Sequence, residues 1–234
     1  MHLQPFFILS MQFLTVIITA GGIGKRMGAD IPKQFLVIAG KPLLMHSFEP
    51  FVNFTDKLQL LLTLPNEWIS YWNDLCLEYD FNIPHTIING GEERYHSVKN
   101  ALNIATGELI AIHDGVRPFV SMELLENLIS TATKNGSAVP VVALKESLRQ
   151  LNDDGSSRAV DRNYFKSVQT PQVFQSEIIK HAYKLSFHAK ITDDASLVEE
   201  AGNTIFLVDG DENNLKITTP KDIWIAEYLF QSKR

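Results

Sequence analysis

The sequence predicts an α/β fold: a mostly parallel sheet flanked by helices in a single domain, with a β-hairpin arm protruding from it. Three observations lead there. Short continuous apolar runs alternate with helix-period segments, the pattern of parallel strands buried on both faces. The chain has 234 residues, more than one domain usually needs and fewer than two would. One stretch, 145–160, loses apolar density around the turn cluster Asn152-Asp153-Asp154-Gly155-Ser156-Ser157, which separates two extended arms.

Residues 1–10 read as an N-terminal extension and residues 11–234 as the domain, with Met11 an alternative start. The apolar stretch 6–20 has no Lys or Arg before it and is interrupted by Ser10, Gln12 and Thr15. It is too short to span a bilayer and runs straight into a glycine-rich loop. A first strand at 13–19 is therefore favoured over an export signal. Further strands are expected at 57–64, 85–89, 109–113, 137–144 and 204–209.

Between them, 42–51 carries Leu43, Leu44, Ser47, Phe48 and Phe51 on one helical face, with Pro42 in the first turn. In 121–135, Ser121 is the expected N-cap and Leu124, Leu125, Leu128, Ile129 and Ala132 the inward face. Thr219-Pro220-Lys221-Asp222 combines a capping residue, a first-turn proline and an early acid, and should open a last helix over 221–230. The 145–160 hairpin is marginal by itself in water. It reads either as a surface loop or, the favoured reading, as an arm that packs on a second copy of the chain.

Composition narrows the function. Twenty-one basic and 27 acidic residues leave a net charge of −6, with a pI near 5.6, which argues against a nucleic-acid partner. No membrane partner is expected. The hydrophobic content of 45% and 21% charged residues exclude a disordered or collagen-like chain. The lone Cys76 cannot form an internal disulfide, which fits a cytoplasmic location. With Trp68, Trp72, Leu75 and Leu77 around it, it reads as a buried, inert thiol on a helix stripe.

The chemistry gathers after the first strand, in Thr19-Ala20-Gly21-Gly22-Ile23-Gly24-Lys25-Arg26-Met27-Gly28. Clustered glycines let successive N–H groups wrap an anion. A Walker A loop would need Ser or Thr after Lys25, where Arg26 stands. The dinucleotide fingerprint would need a glycine at Met27 and an acid about 20 residues on, and Ile31-Pro32 resists an immediate long helix. What accompanies the glycines is cations, Arg26 and Lys33.

Gly21-Gly22-x-Gly24-x-Arg26-Met27-Gly28 followed by Pro32-Lys33-Gln34-Phe35 resembles the signature of the sugar- and polyol-phosphate nucleotidyltransferase family. Gly90-Gly91-Glu92-Glu93-Arg94-x-x-Ser97-Val98 and His113-Asp114-Gly115-Val116-Arg117-Pro118 resemble its cytidylyltransferase branch. So do Val160-Asp161-Arg162-Asn163, Gln169-Thr170-Pro171-Gln172, Ile191-Thr192-Asp193-Asp194-Ala195-Ser196 and Asn214-Leu215-Lys216-Ile217-Thr218. The resemblance implies a Rossmann-like nucleotidyltransferase domain. It would transfer a cytidylyl group from CTP, carried with Mg2+, to a polyol phosphate. The 160–163 and 191–196 segments favour 2-C-methyl-D-erythritol 4-phosphate over ribitol 5-phosphate as acceptor. An NAD(P)-binding oxidoreductase is the reading from a different class.

The resemblance assigns Arg26 and Lys33 to the transition state, and the charge argument agrees. A phosphate monoester is already anionic at neutral pH, with a second pKa near 6, so it needs no general base. Catalysis must come from positive charge and in-line positioning. Ala20, Gly21, Gly22, Gly90 and Glu92 are the expected nucleotide contacts, Glu92 standing where many relatives have Asp. The resemblance adds Ser97 for the base and Asp114 near the ribose and the acceptor alcohol. It assigns the acceptor phosphate to Arg162 and Lys216. Further substrate contacts fall to Thr170, Thr192 and Ser147, the last reaching a neighbouring subunit's site from the hairpin, and to Arg117, which before Pro118 could instead form a structural ion pair. No side chain is assigned as a metal ligand, the ion being held mainly by the CTP phosphates.

Overall fold

The structure, a computed structural model, describes residues 12–22 and 31–232. The expected extension 1–10 and Arg26 lie outside the described residues. The apolar runs form strands close to their expected bounds. The elements are β1 (Leu14–Thr19), the short pair β2 (Val37–Ile38) and β3 (Lys41–Pro42), α1 (Leu43–His46), α2 (Glu49–Phe54), β4 (Leu58–Leu64), α3 (Ile69–Glu78) and β5 (Thr86–Asn89). Then follow α4 (Arg94–Leu102), β6 (Leu109–Asp114), α5 (Met122–Asn135), β7 (Ser137–Ala143), β8 (Leu148–Leu151), β9 (Ser157–Val160), β10 (Lys166–Val168) and β11 (Gln172–Gln175). The chain ends with α6 (Ser176–Ala182), α7 (Asp194–Glu200), β12 (Leu207–Asp209) and α8 (Pro220–Ser232).

In the main sheet β5, β4, β1 and β6 are parallel neighbours in that order. β11 pairs antiparallel with both β6 and β7, β10 continues antiparallel along β7, and β12 pairs parallel with β7. Only β10 and β11 therefore run against the common direction. Alternate residues feed two cores. Leu14, Val16 and Ile18 pack with Trp72 of α3 and Leu124, Leu125 and Leu128 of α5. Ile17, Ile110 and Ile112 face Val98 of α4, Ile179 of α6 and Leu197 of α7. A third cluster, Ile38, Leu43, Val116, Phe119, Ile217 and Ala226, seats α8.

Several expectations are met in detail. Ser121 caps α5, its side chain accepting from Leu124 N at 3.3 Å, and Pro220 is the first residue of α8. β8 and β9 form the expected two-stranded hairpin, paired from Leu148↔Val160 to Leu151↔Ser157. Others are corrected. The helix expected over 42–51 is two helices, because Pro50 has no N–H to offer the His46 carbonyl and its ring crowds that turn. Its Ser47-Phe48 junction is held by tighter bonds, Phe48 N to Met45 O and Phe51 N to Phe48 O, both 3.2 Å. β10 and β11 have no apolar run to announce them. Cys76 is half-buried rather than buried, and burial pushes its thiol up to about 11, an unreactive form at neutral pH. Leu77 leaves the stripe altogether and is 83% exposed.

Candidate active site

In the order β5-β4-β1-β6, chain succession reverses at β1, and open α/β sheets bind ligands at that point, past the carboxyl ends of the strands. A cavity of about 330 Å3 lies there. Ala20, Gly21 and Gly22 leave β1 to form one wall, Lys33 and Gln34 a second, Gly91, Glu92, Arg94 and Ser97 a third, and Asp114, Val116 and Lys216 the floor.

Each wall has a local cause. Ala20 N donates to Thr63 O at 3.1 Å, so the chain stays strand-like until the glycines. The β5–α4 turn is closed by Gly90 N donating to Leu64 O at 2.7 Å and by Gly91 N donating to Ser97 Oγ at 3.0 Å. A Cβ on Gly91 would stand 2.3 Å from His96 Cβ, so this turn admits no side chain. Gly115 is confined less tightly, a Cβ there meeting Leu44 Cδ1 at 2.7 Å, and this glycine suits the tight bend after β6.

Asp114 is the electrostatic centre. Lys216 Nζ lies 2.8 Å from its Oδ2, Arg117 Nε 3.6 Å from Oδ2, and Arg94 Nε 3.8 Å from Oδ1. Burial alone would raise this carboxyl, but Arg94, Lys216 and Arg117 outweigh it and hold the group well below the usual carboxylate range. Asp114 is thus an anion at any working pH. Its N–H donates to Thr170 Oγ1 at 3.0 Å, and that oxygen is 3.2 Å from His113 Nδ1. His113 Nε2 lies 2.9 Å from the Arg117 carbonyl and must carry the proton, since a carbonyl only accepts. Burial pushes His113 down to about 4, so a neutral, fully bonded ring backs the site and takes no part as a base.

Lys216 reaches Asp114 because its neighbours are locked. Asn214 is buried, donates through Nδ2 to Thr170 O at 2.8 Å, and accepts at its own carbonyl from Arg117 Nη1 at 2.7 Å. Ile217 N bonds Val116 O at 3.0 Å. Arg94 is clamped from behind. Its Nη1 and Nη2 donate to Asp194 at 2.9 and 2.6 Å, and Tyr183 Oη donates to the same carboxylate at 2.6 Å. α7, which carries Asp194 in its first turn, is placed by Gln172, whose side chain donates to Asp193 and accepts from Ala195 N.

The cavity therefore brings together Ala20, Gly21, Gly22, Lys33, Glu92, Ser97, Asp114 and Lys216 of the residues expected from sequence. Gly90 sits one residue outside its wall. Arg117 and Thr170 are buried behind Asp114 and do not line the cavity: Arg117 Nη1 donates to the Asn214 carbonyl with its Nε 3.6 Å from Asp114, and Thr170 Oγ1 meets Asp114 N and His113 Nδ1. Thr192 lines a second hollow of about 220 Å3 with Tyr95, Tyr183 and Phe187, on the far side of Arg94. Ser147 and Arg162 lie exposed at the hairpin, where Arg162 Nη1 donates to the Lys145 carbonyl. Thr19, Gln34, Gly91, Glu93, Arg94 and Val116 also line the cavity and were not among the site residues expected from sequence. All six lay inside quoted motifs, which was the available signal.

A glycine turn at the switch point, cations on facing walls and an ionised carboxylate between them define an α/β nucleotidyltransferase. The comparisons with known proteins narrow the class. The profile of the 2-C-methyl-D-erythritol 4-phosphate cytidylyltransferase family matches residues 14–232, and the chain belongs to that family. Proteins of that name from Bacteroides fragilis and Phocaeicola vulgatus are 47% and 48% identical, over 92% of this chain and 98% of their own length. The solved 4-diphosphocytidyl-2C-methyl-D-erythritol synthase of Anaerococcus prevotii superposes with a TM-score of 0.79 at 26% identity, covering 94% of this chain and 99% of its own. The cytidylyltransferase from Thermus thermophilus gives 0.71 at 29% identity, covering 92% and 98%.

Proposed function

We propose that this chain transfers the cytidylyl group of CTP to 2-C-methyl-D-erythritol 4-phosphate, releasing pyrophosphate and forming 4-diphosphocytidyl-2-C-methyl-D-erythritol. The observation that carries the reading is the convergence of Lys33, Arg94, Asp114 and Lys216 on one cavity at the switch point, in a chain of this family. An oxygen of the acceptor phosphate attacks the α-phosphorus of CTP, and the bond from that phosphorus to the bridging oxygen of pyrophosphate breaks. The nucleophile is already an anion, so the work is to bring anions together.

Lys33 and Arg26 would neutralise the transition state, and Lys216 the incoming phosphate. Ala20, Gly21, Gly22, Glu92 and Ser97 would seat the nucleotide, with Gly90 shaping that turn. Asp114 would face the ribose and the acceptor alcohol, with Arg117 and Thr170 holding it in place. Thr192 would sit beside the acceptor end.

Mg2+ bound chiefly through the triphosphate fits this donor set. Among the described residues no three His, Cys, Asp or Glu side chains gather to hold a metal, while the ionised Asp114 lies at the cavity to supply one oxygen. When bound, the ion spreads the negative charge of the triphosphate.

Arg162 is exposed at the hairpin and does not line its own chain's cavity, which favours a role on the acceptor phosphate in another subunit's cavity. A homodimer joined through the 145–160 hairpins accommodates both Arg162 and Ser147 in that role. A cytoplasmic setting is part of the same reading, supported by the single unpaired Cys76. No helix among the described residues is long and apolar enough to cross a membrane.

The test offers Mg-CTP with each acceptor and follows pyrophosphate release. Turnover with 2-C-methyl-D-erythritol 4-phosphate is expected to exceed that with ribitol 5-phosphate. The reverse preference would overturn the acceptor, and no release with either would overturn the reaction.

A further inference from the structure

Three consecutive residues of the Pro32-Lys33-Gln34-Phe35 segment point in three directions, as the three residues per turn of a 3-10 helix require. Lys33 lines the cavity, whose wall Gln34 also borders. Phe35 is 1% exposed, with its ring 5.2 Å from Tyr71, 5.6 Å from Trp68 and 6.4 Å from Trp72, which fixes the roll of the turn. Gln34, also 1% exposed, donates from Nε2 to the Ala20 carbonyl at 2.7 Å.

That carbonyl belongs to the first peptide after β1. Its residue is held on one side by Ala20 N donating to Thr63 O, and on the other by Gln34. A trans peptide points its N–H opposite to its C=O, so the bond to Ala20 O also sets the direction of the Gly21 N–H. The same bond ties the backbone that carries Lys33 to the start of the glycine turn.

We infer that Gln34 is a positioning residue: it fixes the Ala20–Gly21 peptide as the donor edge that meets the nucleotide, and keeps Lys33 in register with it. This rests on the nucleotide reading of the cavity. A buried amide in this place does what a chain of apolar packing cannot, because it orients one particular peptide plane rather than filling space.

Two variants test it, each with calorimetric CTP binding, kcat and KM for both substrates, and thermal midpoint. Gln34→Leu keeps the volume and removes the donor. It should weaken CTP about tenfold, one hydrogen bond's worth of orientation, with the acceptor KM within about twofold. Gln34→Glu places a carboxyl that donates to the Ala20 carbonyl only while protonated. Its CTP affinity relative to the unaltered protein should therefore fall as pH rises from roughly 6 to roughly 9. Lys33, Glu92, Glu93, Arg94, Asp114 and Lys216 also face this cavity in both proteins, and the unaltered protein's own pH profile is the reference for them.

CTP affinity within about twofold in folded Gln34→Leu would overturn the proposal. So would a deficit in Gln34→Glu that does not change with pH, which marks a packing role; this series decides if Gln34→Leu does not fold. An unaltered protein that binds CTP without turnover would sink the assigned reaction alone, and the calorimetry would still decide Gln34.

Discussion

Lys216 Nζ stands 2.8 Å from Asp114 Oδ2, and the same carboxylate is faced by Arg94 and Arg117. One buried anion thus lets three cations gather that would otherwise repel one another. Asp114→Asn would leave the buried Arg117 without that compensation, while Arg94 keeps Asp194. It should cost about 3 kcal/mol in denaturant unfolding, besides most of the activity. Lys216, 45% exposed, should behave differently. Lys216→Ala should change stability by less than about 1 kcal/mol while raising the acceptor KM and lowering turnover on the order of 100-fold.

Lys33 lines the cavity, and the proposed reaction puts its charge at the reacting centre. Lys33→Ala should lower kcat by roughly 100-fold to 1,000-fold, the scale of a lost electrostatic donor. Arg26→Ala should fall in the same range. Near-normal turnover in either would remove that residue from the transition state.

Asp194 is fully buried and Arg94 one-third exposed, so the two halves of this clamp are not equivalent. Arg94→Ala strands a carboxylate that water cannot reach. Asp194→Ala leaves a guanidinium that can still turn toward solvent. Unfolding experiments should find the arginine variant the less stable of the two, with losses on the order of 3 kcal/mol. Equal losses would contradict this account of the clamp.

The neutral His113 makes stability depend on pH. Its folded pKa, about 4, lies below the ordinary histidine value of 6.5, so the unfolded chain binds more protons between those limits. Stability is fully present above pH 6.5 and should fall as pH drops toward 4, by on the order of 3 kcal/mol at most. His85, which burial also lowers, acts in the same direction. In His113→Gln, which cannot charge, thermal melts across this window should show a shallower slope on a lower plateau.

If the hairpins join two subunits, deleting 145–160 should give monomers or aggregates by sedimentation. Mixed dimers of Arg162→Ala with Lys33→Ala chains should recover activity that neither homodimer has, because one cavity then receives an intact Lys33 and its neighbour's intact Arg162. A dimer surviving the deletion would refute the arm.

β1, β4 and β6 were legible because they are buried on both faces and so read as nearly unbroken apolar runs. Ser121 and Pro220 announced their helices through local rules of capping and proline geometry. β11 was not legible: Gln-Val-Phe-Gln beside Pro171 has no period, and its burial comes from β6 and β7 on either side. The helix over 42–51 was misjudged because its apolar face is continuous while its hydrogen-bond ladder is not.

In the site, the glycine turn, Lys33 and Asp114 could be named from the sequence, since their chemistry is written in residue type and in position after a strand. The pairing of Arg94 with Asp194, 100 residues apart, could not. Nor could the burial of Thr170 behind Asp114, whereas a structural ion pair was one of the two readings open for Arg117. Sequence by itself determined the class of fold and the kind of chemistry, because periodicity and motif composition are local. Only the tertiary structure decided which charges meet, which are spent on one another, and which are left to face a substrate. Those outcomes depend on distances of a few ångströms between segments that the chain order keeps far apart.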